Sequence, residues 1–290
     1  MANILHTTTE LSNGIVMPKI GFGTWQTKPG SETYASISKA LKVGYRFIDT
    51  AWSYRNEENV GDAIRDSGIK RKDLFIQTKL PGEIKTYDEV LRYFEHSLKN
   101  LSVEYVDAYL IHAPWPWSNP GENCDQQNRE VWRAMEQIYR SGRAKSIGIS
   151  NFSVHDIHNL LQDEQLTITP MINQIQYYVG YTQSEIADYS RKHGMRIEAY
   201  SPLATGRLLD NETITSLAEK YKVTTAQIAL RYCVQNEVIP LPKARSMGHI
   251  INNSELDFEI QDSDMRLLDR MTDPSEKRGW HAGDHTFYDL

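Results

Sequence analysis

Asp49, Tyr54, Lys79 and His112 are the residues whose types and order along the chain could do chemistry. Asp49 closes the β-prone run RFIDT, Lys79 the run LFIQTK and His112 the run YVDAYLIH, while Tyr54 follows shortly after Asp49. Singly, each has an ordinary explanation: a helix N-cap for Asp49, a solvated charge for Lys79, a hydrogen-bonded core histidine for His112, and packing for Tyr54, one of 16 tyrosines. Together at the ends of three successive runs they ask for a joint reason, because burying an Asp–Lys pair desolvates both ions before their attraction offsets the cost. The chemistry that fits is carbonyl reduction. A hydride added to the carbonyl carbon leaves negative charge on the oxygen, which must be protonated or stabilised as it forms. A tyrosine at its ordinary pKa of about 10 is a weak acid at neutral pH, and an ammonium within about 4–6 Å favours its phenolate. Lys79 is expected to lower the Tyr54 pKa in this way, Asp49 to fix Lys79, and a neutral His112 to orient the carbonyl.

The elements that must position these residues alternate along the chain. Short apolar runs begin at Lys19, Arg46, Leu74, Tyr105, Lys145, Met171, Arg196 and Val238, each followed by an amphipathic helical stretch. Near-continuous apolar character suits parallel strands covered by helices. Cap signatures at Thr86-x-x-Glu89, Ser153-x-x-Asp156, Thr182-x-x-Glu185 and Thr224-x-x-Gln227 mark helix starts, and Gly44 and Gly194 stand where helices should end. TTTELSNGIVMPKI reads as a β-hairpin turning at Asn13-Gly14. Eight strand–helix units without a linker imply one (β/α)8 TIM barrel over residues 1–290, an α/β fold with the N-terminal hairpin closing its bottom. In such a barrel the strand C-termini carry the chemistry, which is where Asp49, Lys79 and His112 fall. The glycines of Gly21-Phe-Gly23-Thr-Trp-Gln26 lack a third partner and a following helix, so a Rossmann reading is poor.

Composition bounds the partners. A net charge of −6 and a pI near 5.9 argue against nucleic acid. No run of apolar residues is long enough for a membrane span, and the first residues do not read as a signal peptide. Two cysteines, Cys124 and Cys233, cannot build a disulfide framework, which suits a cytoplasmic compartment. Histidine and cysteine spacing suggests no metal site, and the His281/His285 pair reads as a surface coincidence.

At the level of motifs the chain resembles the aldo-keto reductases over nearly its whole length. The matching stretches are GFGTW (21–25), DTAWSYRNEENVG (49–61), TKL (78–80), LIH (110–112), GISNF (148–152), NQIQY (173–177), AYSPLA (199–204) and IPLPK (239–243). The resemblance implies that Asp49, Tyr54, Lys79 and His112 form the catalytic tetrad of an NADPH-dependent aldehyde or ketone reductase. It places Gly23, Thr24, Trp25 and Asp49 beside the cofactor. It assigns Ser150, Asn151 and Gln174 to the carboxamide, Tyr200 to stacking on the nicotinamide, and Ser201, Leu203 and Gly206 to a loop over the pyrophosphate. Lys243, Ala244, Arg245, Ser246, His249 and Asn253 match the segment that binds the adenosine phosphate. Trp25, Tyr54, His112, Ala113, Trp115 and Trp117 are the expected substrate contacts.

Three places depart from the family pattern. The segment that usually reads Lys-Ser-x-x-x-x-Arg is here Lys243 to His249, so a bidentate guanidinium grip on a 2′-phosphate is missing and NADH joins NADPH as an expected cofactor. Ala113 replaces a common tryptophan after the histidine, and Gln176-Tyr177-Tyr178-Val179 replaces a common Glu-x-His-Pro. A C-terminal loop with Trp280, Phe287 and Tyr288 is expected near the active site. The competing readings are a dinucleotide-binding barrel with a sensing or structural role, which need not keep the tetrad, and an aldolase-type barrel with Lys79 as a Schiff-base lysine, which gives Tyr200 and Ser150-Asn151 no role. A monomer or weak oligomer is expected.

Overall fold

A computed structural model describes residues 3–273; the tail from Gly279 to Leu290 lies outside the described residues. A hairpin of β1 (Thr8–Glu10) and β2 (Val16–Pro18) comes first, with Thr8 opposite Pro18 and Glu10 opposite Val16. Gly14 takes φ +83° in its turn, a conformation open to glycine at little cost. Eight parallel strands follow: β3 (Phe22–Gly23), β4 (Phe47–Asp49), β5 (Phe75–Leu80), β6 (Ala108–Ile111), β7 (Ile147–Ser150), β8 (Ile172–Gln176), β9 (Arg196–Tyr200) and β10 (Val238–Pro240). They pair in sequence order from β3 to β10. Each falls in one of the eight apolar runs. The sheet curls on itself: the Gly21 amide donates to the Pro240 carbonyl at 3.1 Å and the Gly23 amide to the Pro242 carbonyl at 3.1 Å, joining the first strand to the last. This is the arrangement of a (β/α)8 barrel.

Every residue of β4 through β8 and of β10 is buried, as parallel strands lined inside by side chains and covered outside by helices must be. Leu11 and Met17 of the hairpin belong to a core cluster with Phe47, Phe75, Ala108 and Met171, residues at the starts of the strands. The helix Tyr87–Leu101 buries Val90, Phe94 and Leu98, one face of its apolar stripe. Ser153 and Thr224 form full capping boxes with Asp156 and Gln227. Two other caps differ from expectation. Thr86 bonds the Glu89 side chain at 2.7 Å and leaves the backbone uncapped. Thr182 caps nothing, because Gln183 turns left-handed and sends its amide to the Gln176 carbonyl at 2.6 Å, so the helix begins at Ser184. Among the described residues no helix is long and apolar enough to cross a membrane.

Gly23 tests the closure. A Cβ built there would stand 2.7 Å from the Leu241 carbonyl oxygen, a backbone atom that cannot rotate away. Gly23→Ala is expected to destabilise the fold by about 1–3 kcal/mol, the usual range for overpacking, read as a lower midpoint of urea unfolding at unchanged m. A midpoint equal to that of the unmodified protein would mean that the strands part freely at this seam.

Candidate active site

The sequence-predicted quartet converges at the C-terminal ends of neighbouring strands. Lys79, the fifth residue of β5, is fully buried, and its Nζ donates to Asp49 Oδ1 at 2.6 Å and to the Thr50 carbonyl at 2.9 Å. The charge is thus held by one carboxylate and one carbonyl dipole, the satisfied geometry a buried ion pair requires. Asp49 ends β4, and the chain continues through a short 3-10 turn, Trp52–Tyr54, that brings Tyr54 back over the lip. Lys79 Nζ lies 5.2 Å from the centre of the Tyr54 ring. Asn56 braces the turn from below: its side chain accepts from Thr50 Oγ1 at 2.8 Å and donates to the Thr24 carbonyl at 3.1 Å.

His112 follows β6, with its ring centre 5.5 Å from that of Tyr54 and roughly edge-on. Burial, followed by the Lys79 charge, holds its pKa well below the ordinary histidine value, so the imidazole is neutral at physiological pH. Tyr54 departs from the sequence expectation. Lys79 does pull its phenol toward ionisation, by charge and by hydrogen bond, but burial outweighs that pull and Asp49 adds to it, so the pKa is pushed up to about 12. The ammonium was the legible part; desolvation depends on how tightly the surrounding strands close, which the sequence does not display. Lys79 itself sits above its ordinary value: burial opposes its charge, and Asp49, Tyr54 and Glu198 together outweigh burial.

Beside the quartet, Ser150 at the end of β7, Asn151 just after it and Gln174 in the middle of β8 are all buried. Asn151 is left-handed at φ +62°, donates to the His112 carbonyl at 2.9 Å, and accepts from the Tyr200 hydroxyl at 2.7 Å. Gln174 donates to Asp49 Oδ1 at 3.1 Å. Ser201, Ala204 and Thr205 all have positive φ, and Gly206 φ +100°, so the segment carrying Ser201, Leu203 and Gly206 is sharply bent. Lys243 is half-buried and approaches Gln26 Oε1 at 3.5 Å, while Arg245 pairs with Glu32 at 3.1 Å. Burial and the neighbouring Arg245 charge push the Lys243 pKa down. Ser246 caps the helix Met247–Asn252 by accepting from the His249 amide, His249 is exposed, and Ala244 and Asn253 are buried. Gly23 and Thr24 are buried within the barrel seam, whereas Trp25 is exposed on the rim.

The Trp117 ring stands 5.3 Å from His112 and 5.0 Å from Trp115, so both indoles come to the site from the loop after His112, and Ala113 is buried beneath them. Lys85 was not singled out from the sequence, yet it ties that loop down. Its ammonium donates to the Pro114 carbonyl at 2.9 Å and to Asn128 Oδ1 at 3.0 Å, and burial brings its pKa to about 8. Gln77 and Glu198 were also missed. Gln77 precedes Lys79 by two residues and so shares its face, and Glu198 is a charge inside the apolar run RIEAYS; period-two alternation would have directed both inward.

Comparison with known proteins agrees with this geometry. The model of the Aldo/keto reductase family matches residues 19–273. Glyoxal reductase of Bacillus subtilis (strain 168) is 41% identical over 272 residues, covering 93% of this chain and 95% of that protein. Methylglyoxal reductase DkgA of Escherichia coli (strain K12) is 36% identical over 263 residues, covering 89% and 91%. The crystal structure of an aldo/keto reductase from Brucella melitensis superposes with a TM-score of 0.84 at 39% identity over 91% of this chain and 98% of that one. Strand order, the polar rim and these matches have one meaning: the chain belongs to the aldo/keto reductase family and is an oxidoreductase acting on carbonyls.

Proposed function

We propose that the chain reduces the carbonyl of an aldehyde or ketone to an alcohol, using NADPH and with Tyr54 as proton donor. The observation that carries this is the fully buried Lys79, paired with Asp49 at 2.6 Å, beside the phenol of Tyr54 and a neutral His112. When bound, the reduced nicotinamide supplies a hydride to the carbonyl carbon. His112 orients the carbonyl oxygen by a hydrogen bond and, being neutral, keeps no competing charge there. Tyr54, with its pKa pushed up to about 12, stays protonated at every working pH. It is loaded as an acid, and it gives its proton to an oxygen that becomes a far stronger base than a phenolate as charge builds on it. Lys79 then stabilises the phenolate left behind, and Asp49 keeps the ammonium in place.

The residues present suit the cofactor. Ser150, Asn151 and Gln174 offer buried amide and hydroxyl groups beside Tyr200, the set an aromatic carboxamide needs. Lys243 and Arg245 lie close enough for one charge to depress the other, a cost that an anionic phosphate between them would relieve. Aldo-keto reductases generally use NADP(H). With His249 in place of arginine, NADH is expected to serve as well. His249→Arg should therefore tighten NADPH binding by roughly tenfold, the value of a charge-assisted bidentate contact, while leaving NADH unchanged. Equal tightening for both cofactors in fluorescence titrations would show that the position does not read the 2′-phosphate.

The barrel is read as a single domain over residues 1–290, with the β1–β2 hairpin plugging the end opposite the site. The names of the Bacillus and Escherichia relatives make short dicarbonyls the first substrates to try, and Trp115, Trp117 and Ala113 the walls that select among them. The test is loss of reduced-nicotinamide absorbance with glyoxal, methylglyoxal and larger aldehydes and ketones, using NADPH and NADH separately. Turnover with NADPH and a carbonyl supports the reading; cofactor binding without turnover on any carbonyl would replace it with a dinucleotide-binding role.

A further inference from the structure

Below the rim, Asp49 and Gln77 stand side by side on β4 and β5, and Gln174 and Glu198 side by side on β8 and β9. The two pairs meet across the barrel interior. Gln77 Nε2 donates to Asp49 Oδ1 at 2.9 Å and to Glu198 Oε2 at 2.6 Å. Gln174 Nε2 donates to the same two oxygens, at 3.1 and 2.7 Å. Both carboxylates thus share two amide groups, and their orientation is fixed, since only the NH2 end of each amide can face two acceptors. Glu198 is fully buried, and its other oxygen, Oε1, has no hydrogen-bond partner among the described residues.

The charge count in this closed space is unbalanced. Asp49 and Lys79 compensate each other, and among the described residues no cation besides Lys79 is found acting on Glu198. An ionised Glu198 would be a second carboxylate facing one ammonium, and the Tyr54 phenolate formed in catalysis would be a third anion. We propose that Glu198 is a positioning residue of the reductase that works in its neutral form, sparing the Lys79 charge for the Tyr54 phenolate. It acts through Gln77, Gln174 and Asp49 and touches no reacting atom. Burial, then the Asp49 charge, raises its pKa to about 7, against the opposing hydrogen bonds of Gln174 and Gln77 and the charge of Lys79. Among the described residues the charged groups facing it are Asp49 from β4 and Lys79 from β5, and its hydrogen-bond partners are the two amides.

The kinetic consequence rests on the carbonyl-reduction reading, and its sign is definite. As pH rises through about 7 Glu198 loses its proton, and kcat for reduction should fall by on the order of tenfold to an alkaline plateau. Glu198→Gln, permanently neutral and of the same shape, should keep the acid-side kcat and lose the limb centred near pH 7. Lys85, whose pKa burial lowers to about 8, is present in both proteins and cancels in the comparison. An infrared titration of the wild-type enzyme needs no turnover. It should show one protonated-carboxyl carbonyl band, absent from Glu198→Gln, that disappears between pH 6 and 8, about one unit either side of the midpoint. Loss of both the band and the kinetic limb in the variant supports the proposal. An unchanged pH profile in Glu198→Gln overturns it, and so does a wild-type spectrum with no carboxyl titrating in that range, even where the variant fails to fold. Absence of turnover at any pH with the band present would instead count against carbonyl reduction alone.

Discussion

Replacing Tyr54 with phenylalanine is expected to lower kcat for carbonyl reduction by about 10²–10⁴-fold, the range supplied by a positioned general acid. The substitution removes one oxygen and preserves the ring, so the edge-on contact with His112 and the packing over Lys79 survive. Lys79 loses its hydrogen bond to the phenol but keeps those to Asp49 and to the Thr50 carbonyl, so no buried ion is stranded. The loss should therefore appear in kcat and kcat/KM alike, as expected for an interaction made in the transition state, with KM little changed. Steady-state assays across the carbonyl panel make this separation. A variant that instead raised KM at unchanged kcat would make Tyr54 a substrate contact and place the proton elsewhere.

Lys79→Met carries the second large effect, on stability as well as rate. Lys79 is fully buried, and removing its ammonium leaves Asp49 an uncompensated buried carboxylate held by the Gln77 and Gln174 amides. Breaking a buried pair from one side costs about 3–5 kcal/mol. The expected result is a loss of that size in urea unfolding, together with a loss of turnover at least as large as that of Tyr54→Phe. Adding Asp49→Asn should restore a large part of the stability and none of the activity, because the neutral pair no longer strands a charge but also cannot stabilise a phenolate. Equal stability of the Lys79→Met protein and the wild type would mean that the pair is not held out of water.

Much of the barrel could be read in advance because its strands obey one rule. A parallel strand covered on both sides is expected to be largely apolar. RFIDT, LFIQTK and MINQIQ follow this apart from inward polar side chains such as Asp49, Gln77, Lys79 and Gln174 and the outward Thr78 and Asn173, which hydrogen-bond Glu57 and Ser190 on the covering helices. The meeting of Asp49, Lys79 and His112 followed from position alone, since each ends a run and strand ends share one rim. Two features escaped because they depend on what lies opposite in space. Gln77 and Glu198 come from strands 121 positions apart, and only closure of the barrel brings their side chains within 2.6 Å. The Tyr54 pKa rises because desolvation exceeds the Lys79 attraction, a balance set by packing. At Gln183 a side-chain bond to the Gln176 carbonyl overrode a plausible Thr182 cap, a tertiary contact that helix signals do not encode. Gly21 and Gly23, which resemble a fragment of a nucleotide fingerprint, are needed where the first and last strands approach too closely for a Cβ.

Single-turnover oxidation of enzyme-bound NADPH by methylglyoxal, measured for the wild type and for Tyr54→Phe, tests the proton-donor assignment most directly. Cofactor is bound beforehand and product release is excluded, so the rate reports the reduction step itself. The expected result is one equivalent of bound NADPH consumed by each protein, with the variant about 10²–10⁴-fold slower. Equal rates in the two proteins would contradict it, because the phenol of Tyr54 would then take no part in the step that protonates the carbonyl oxygen.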